Sequence, residues 1–157
     1  MQTVTIRFAT PQDRDQWLIL RRELWPDCPE HKHQLEIDHI LSSQGVVFIA
    51  EHNDIGLVGF AEISIRHDHV EGASINPIPY LEGWFVDERF RRKGIGRSLI
   101  SAAEEWAKQQ GFTEFASDAD IGNQYSITIH TALGFKEVSR NVHFLKSLVQ
   151  KSPTKQM

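Results

Sequence analysis

Residues 81–107 read LEGWFVDERFRRKGIGRSLISAAEEWA, an apolar run, a basic glycine loop and a second apolar run in immediate succession. With Tyr80, the first part forms YLEGWFV, which has the composition of a central strand. Residues 96–111, GRSLISAAEEWAKQQG, place Leu99, Ala102, Ala103 and Trp106 on one helical face and stop at Gly111. Between strand and helix, Arg91 to Gly96 spell RxxGxG. Glycines reach backbone torsions closed to other residues and remove side chains, so that several N–H groups can converge on one phosphate. A helix beginning at about Gly96 adds its unpaired amides and the positive end of its dipole. A pyrophosphate suits such a loop. The P-loop would need a GK[ST] ending, and the dinucleotide fingerprint a third glycine where Leu99 stands. By itself the loop also fits a solvated helix N-terminus with ordinary surface cations.

The rest of the chain alternates between strand and helix signals. Residues 3–9 alternate like a strand; Thr10 as N-cap, Pro11 and Asp13 then open a helix with Trp17, Leu20 and Leu24 on its apolar stripe. Residues 29–45 form a second, more polar helix stopped by Gly45. Residues 46–52 and 57–67 form an antiparallel pair joined by the turn NDIG. Residues 70–79 are loop, 112–118 (FTEFASD) a short strand, and 123–134 a helix capped by Asn123. Residues 135–148 are expected to form a closing strand or hairpin. The order β α α β β β α β α β predicts an α/β protein, a mixed sheet with helices on both faces, in one domain over residues 1–149. Residues 150–157 read as a disordered polar tail.

At 157 residues, 40% of them hydrophobic, the chain supports a single substantial core. No apolar run approaches a membrane span, and residues 1–10 lack a secretory layout, so a cytoplasmic protein with no membrane contact is expected. Cys28 is the only cysteine, which excludes an internal disulfide. The formal charge is −4, and Arg91, Arg92, Lys93 and Arg97 account for four positive charges, leaving −8 on the remainder. That balance argues against an extended nucleic-acid face, and the acidity of the remainder either keeps the protein soluble or attracts a cationic ligand. His31 with His33 and His67 with His69 are the possible metal pairs, but neither has a convincing third ligand, so no metal is expected.

The strand, RxxGxG loop and helix resemble the core motif of the GCN5-related N-acetyltransferase (GNAT) superfamily. The resemblance implies a sheet splayed between its fourth and fifth strands, with acetyl-CoA as cosubstrate lying in the opening. The backbone of Trp84, Phe85 and Val86 would then pair with the pantetheine arm. The loop Arg91, Arg92, Lys93, Gly94, Ile95, Gly96, Arg97 and Ser98 would hold the pyrophosphate, chiefly through the amides of Arg92 to Ser98. Asn123 stands where such enzymes carry a cofactor-contacting Asn. Where they often place a tyrosine that protonates the leaving thiolate, this chain has His130, which is either a general acid or a packing residue.

Four further stretches, LWPD (24–27), IRHDHVEG (65–72), YLEGWFV and ASD (116–118), resemble in order the aminoglycoside 6'-N-acetyltransferases of that superfamily. This implies transfer of acetyl to a 6'-amine, antibiotic resistance and a homodimer whose closing strands meet. An acceptor of another kind, a polyamine or a peptide N-terminus, would use the same loop. Glu82 lies in an otherwise apolar strand, where alternation puts it on the face of Trp84 and Val86. It reads as the residue that binds the amine and accepts its proton, or as half of a structural salt bridge. Asp118 is assigned to substrate amines or to a turn, and Trp25 to an aminosugar ring or the core. His69 stands where relatives show an aromatic hydroxyl, and Ser139 where they often carry an acid.

Overall fold

The computed structural model describes residues 3–150. Five strands, β1 (Val4–Phe8), β2 (Val46–His52), β3 (Gly56–Arg66), β4 (Ile78–Val86) and β5 (Ala116–Ser117), lie in sequential order across one sheet. The first four pair antiparallel and β5 joins β4 in parallel, so the sheet is mixed. Four α-helices complete the fold: α1 (Arg14–Leu24), α2 (Glu30–Ser42), α3 (Ile95–Gln109) and α4 (Gln124–Ala132). A short 3-10 turn, Pro11–Asp13, leads into α1, where the Thr10 amide donates to Asp13 Oδ2 at 2.8 Å. The β2–β3 hairpin turns at Asn53–Gly56 as the sequence indicates, with Gly56 at φ +98°.

Helices cover both faces of the sheet. On one side α1 and α2 bring Trp17, Leu18, Leu20, Ile37 and Ile40 against Val47, Ile49, Phe60 and Phe85. On the other, α3 brings Ile95, Leu99, Ile100 and Ala103 against Phe48, Ala50, Ala61, Ile63 and Leu81. The alternation of Val47 and Ile49 with Phe48 and Ala50 along β2 divides one strand between the two cores. The buried stripe of α3 is rotated from the expected one: Leu99 and Ala103 are buried, whereas Ala102 and Trp106 are half-buried at its flank. Each fully buried aliphatic side chain of this kind contributes about 1.5–3 kcal/mol.

The sheet is splayed where the sequence reading placed the opening. β4 pairs with β3 along its whole length, but with β5 only at Tyr80↔Ala116 and Leu81↔Ser117. From Glu82 to Val86 the outer edge of β4 therefore has no strand beside it among the described residues. The expected closing strand is not formed. Residues 136–150 lie in no helix or strand and every one of them is exposed. Physically, a two-residue edge strand offers too few backbone partners to offset the entropy of ordering another strand upon it. The expected tail, residues 150–157, lies outside the described residues except for Gln150.

Candidate active site

The basic glycine loop follows directly from the end of β4. Asp87 accepts the Arg89 amide at 2.9 Å and starts a 3-10 turn, Glu88–Phe90, whose Phe90 is buried. Arg92 then takes φ +62° and Gly94 φ +83°, two left-handed steps that turn the chain into α3. A residue with a side chain seldom holds that conformation, and such outliers gather at binding sites. Ile95 anchors the start of α3 in the core. Gly96 lets the Trp84 ring lie close: a Cβ there would stand 3.2 Å from Cζ2, a contact to which the ring would have to give way. The amides of Ile95, Gly96 and Arg97 have no carbonyl to bond within the helix. The Ser98 amide is different: it donates to the Gly94 carbonyl at 3.0 Å, and the Ser98 hydroxyl donates to the same oxygen at 2.9 Å. Ser98, which the sequence reading counted among the phosphate-binding amides, is thus already engaged.

Cations frame this helix end. Arg91 Nε donates to the Val86 carbonyl at 2.8 Å, so that carbonyl is already engaged. The Arg91 guanidinium lies 5.3 Å from the Phe85 ring centre and 6.0 Å from that of Tyr125, the second residue of α4. Glu88, Arg91, Arg92 and Tyr125 line a concavity of about 310 Å³. Asn123 caps α4, its Oδ1 accepting the Ser126 amide at 3.1 Å.

His130 reaches back from α4 to the point where the strands part. Its ring meets Trp84 edge-on at 5.6 Å, and Nε2 lies 2.8 Å from the hydroxyl of Ser117, the last paired residue of β5. Nδ1 lies 2.7 Å from the Ser126 carbonyl, which can only accept. That contact assigns the proton to Nδ1 and leaves Nε2 of the neutral ring to accept from Ser117.

Glu82 occupies a place that alternation does not foresee. Glu62 pairs with Gly83 and Ile63 with Leu81, which makes Glu82 the extra residue of a β-bulge. The bulge reverses parity, so Glu82 does not share the face of Trp84 and Val86, which pack toward α3. Its carboxylate instead joins side chains of β3. Oε1 accepts from Ser64 Oγ at 2.6 Å and from Arg66 Nε at 2.8 Å, and Oε2 accepts from Arg66 Nη2 at 2.8 Å. The Arg66 guanidinium stacks 3.5 Å above the Tyr80 ring, and the Tyr80 hydroxyl donates to Asp118. Burial, with the hydrogen bond to Asp118, pushes the Tyr80 hydroxyl well above its ordinary pKa. Glu82 and Asp118 are thus joined through Arg66 and Tyr80, and neither linking residue was singled out from the sequence. The alternation of Glu62, Ser64 and Arg66 was visible there, but the long connection between β3 and β4 hides their register with Glu82.

Behind this network, a Cβ at Gly83 would meet Trp25 Cη2 at 2.4 Å, which sets the indole against the residue next to Glu82. Trp25 is half-buried under the Arg21 guanidinium, 4.6 Å from its ring centre. Arg21 is itself buried and pairs with Glu62 and Glu36, while Trp17 Nε1 donates to Glu62 at 2.9 Å. Burial pushes the Glu62 carboxyl up, and Arg21 holds it back. His69 is exposed and faces Glu71 at 3.4 Å, and Ser139 lies in the exposed segment 136–150; no contact brings either to Glu82. Cys28, His33 and Glu36 do converge. Arg21, however, donates to His33 Nδ1 at 3.2 Å and pairs with Glu36, so the cluster is organised around a guanidinium rather than offered to a cation.

A sheet opened beside a glycine loop and a helix N-terminus is the arrangement that the resemblance to N-acetyltransferases implies. The chain belongs to the Acetyltransferase (GNAT) family, whose family model matches residues 13–135. It is 44% identical over 135 residues, 85% of this chain and 92% of the relative, to an aminoglycoside N(6')-acetyltransferase type 1 of Serratia marcescens. A protein of the same name from Klebsiella aerogenes is 42% identical over 91% of this chain and 96% of its own length. Among solved structures, AAC(6')-Iy in complex with CoA superposes with a TM-score of 0.87 at 37% identity, covering 93% of this chain and 96% of that one. The same enzyme in complex with a bisubstrate analogue, CoA-S-monomethyl-acetylneamine, gives 0.85 at 37% identity, over 92% and 99% of the two chains. No helix among the described residues is long and apolar enough to cross a membrane.

Proposed function

We propose that this protein transfers the acetyl group of acetyl-CoA directly to the 6'-amine of aminoglycosides, in one domain spanning residues 1–149, in the cytoplasm and as a homodimer. The observation that carries the reading is the unpaired stretch of β4, with the bulged Glu82 at its start and the phosphate loop just past its end. At ~3.3 Å per residue, Glu82 to Val86 spans about 13 Å, suited to an extended pantetheine arm. The pyrophosphate would rest on the amides of Ile95, Gly96 and Arg97, beside Arg91 and Arg92. The names of the relatives supply the acceptor.

Acetyl-CoA supplies the activated thioester, and the chain's residues supply position and proton traffic. Glu82 and Asp118 draw in ammonium groups, and Trp25 backs the sugar. The ammonium first gives a proton to Glu82, directly or through water; the neutral nitrogen then forms the new C–N bond as the C–S bond breaks, and its second proton passes to solvent. The departing thiolate takes a proton from His130 or from solvent. Because neutral His130 has Nε2 as an acceptor, only its imidazolium form can donate toward Ser117 and the opening. Acetylation removes one positive charge and two of the ammonium's three N–H donors from the drug, which weakens its hold on ribosomal RNA.

The homodimer rests on residues 136–150. Val142, Phe144, Leu145 and Leu148 are 77 to 100% exposed, and the edge of β5 lies open. A second copy would cover both. Equilibrium ultracentrifugation should give twice the chain mass, and Leu145→Asp should return it to one; a monomer at micromolar concentration would refute the dimer. For activity, coenzyme A release is measured with kanamycin and with an analogue bearing a 6'-hydroxyl. Release with the amine alone is expected, and release with neither would overturn the aminoglycoside reading.

A further inference from the structure

We propose that Arg66 is a positioning residue of the acceptor site, which clamps the Glu82 carboxylate and attenuates the site's attraction for cations. The inference rests on the reading above that Glu82 meets the acceptor amine. Three observations carry it. The Arg66–Glu82 contact is bidentate, with two parallel bonds of 2.8 Å that fix the plane of the carboxylate as well as its place. The guanidinium is in turn fixed, 3.5 Å above the Tyr80 ring, and Tyr80 binds Asp118. Finally, the side chains of Arg66 and Glu82 are each 32% exposed, so the clamped carboxylate remains open to a ligand from solvent.

This arrangement divides the work of the two carboxylate oxygens. Oε1 already accepts from Ser64 and Arg66, whereas Oε2 accepts from Arg66 alone. The spare lone pair of Oε2 is then the one that meets an ammonium, in a direction set by the clamp. A bulged residue has less backbone support than a regular strand position, so a side-chain clamp at Glu82 has a task that a ladder would otherwise perform.

Charge gives the second consequence. Glu82, Asp118 and Arg66 together carry one net negative charge, and Tyr80 between them is held neutral. Asp68 is the other acid that acts on Arg66. Without Arg66 the three-residue site would carry two negative charges, bind polycations more tightly and hold them less well aligned. Binding and turnover should therefore move apart, which loss of folded protein cannot imitate.

The test compares Arg66→Met and Arg66→Lys with the parent and with Glu82→Gln, by steady-state kinetics with kanamycin and acetyl-CoA at two ionic strengths. Arg66→Met should lower the kanamycin KM severalfold, steepen its rise with salt and lower kcat about tenfold or more, with the acetyl-CoA KM unchanged. Arg66→Lys keeps the charge and loses the fork, so its kanamycin KM should stay near the parent's while kcat falls. A raised kanamycin KM in Arg66→Met, or a parental kcat in both variants, would overturn the proposal. Glu82→Gln separates the two levels: if it keeps parental turnover, Glu82 is not the amine's partner and the foundation fails. If it loses turnover while the Arg66 variants do not, Glu82 stands and the role of Arg66 falls.

Discussion

Gly83→Ala tests how the indole of Trp25 is seated behind Glu82. The added Cβ would lie 2.4 Å from Trp25 Cη2, 2.9 Å from Cζ2 and 3.4 Å from Phe60 Cε2. Carbon atoms rest at about 3.5–4.0 Å, so the first contact overlaps by roughly 1 Å and the ring must move. It has little room, because the Phe60 ring centre is 6.3 Å away, that of His33 6.4 Å, and Arg21 covers one face. Overpacking of this kind costs about 1–3 kcal/mol, a fall in Tm of roughly 2–4 °C for each kcal/mol in a chain of this length. Urea unfolding followed by circular dichroism measures the cost. The decisive control is the same substitution in a Trp25→Ala background, where the obstructing ring is gone; there it should cost about 1 kcal/mol less or nothing at all. The displaced ring should also raise the kanamycin KM and leave that of acetyl-CoA alone. An equal cost in both backgrounds, or one below about 0.5 kcal/mol in the parent, would refute the seating of Trp25 against Gly83.

Two further predictions concern buried charge. Arg21→Met leaves Glu62 buried without its cation and should destabilise by about 3–5 kcal/mol in denaturant unfolding, whereas Arg21→Met with Glu62→Met should recover much of that loss. Asp13 binds Arg7 through 2.8 and 2.9 Å bonds, and chiefly for that reason its carboxyl is held below the usual carboxylate range, against the effect of burial. A depressed folded pKa contributes stability that is fully present above the unfolded value, about 3.9, and is lost as pH falls through the folded one. Asp13→Asn should therefore cost about 1 kcal/mol at pH 7, with the gap to the parent constant down to about pH 4.5 and closing below it; a gap that widens in acid would contradict the pairing.

Much of the framework was legible locally. The strand, loop and helix of residues 81–107 follow from composition and spacing, and the left-handed turn at Gly94 is one that only a glycine takes without strain. The caps at Asn123 and the Thr10–Asp13 turn were legible because a cap and its amide lie within three residues. The face of Glu82 was not. Period-two alternation carries a side chain to a known face only while the ladder stays regular, and one bulge reversed it. The pairing of Glu82 with Arg66 was hidden for the same reason, since it depends on a register between strands eleven residues apart in the chain.

The sequence alone determined the order of elements as far as α4, the glycines and cations of the basic loop and the presence of an acid in the strand before it, because each depends on neighbours within one turn or one strand. Only the tertiary structure decided the bulge at Glu82, its clamp by Arg66, the meeting of His130 with Ser117 and the exposure of residues 136–150. Each of those depends on which distant groups are brought within hydrogen-bond reach, or are absent from it, and that follows from the packing of the whole sheet.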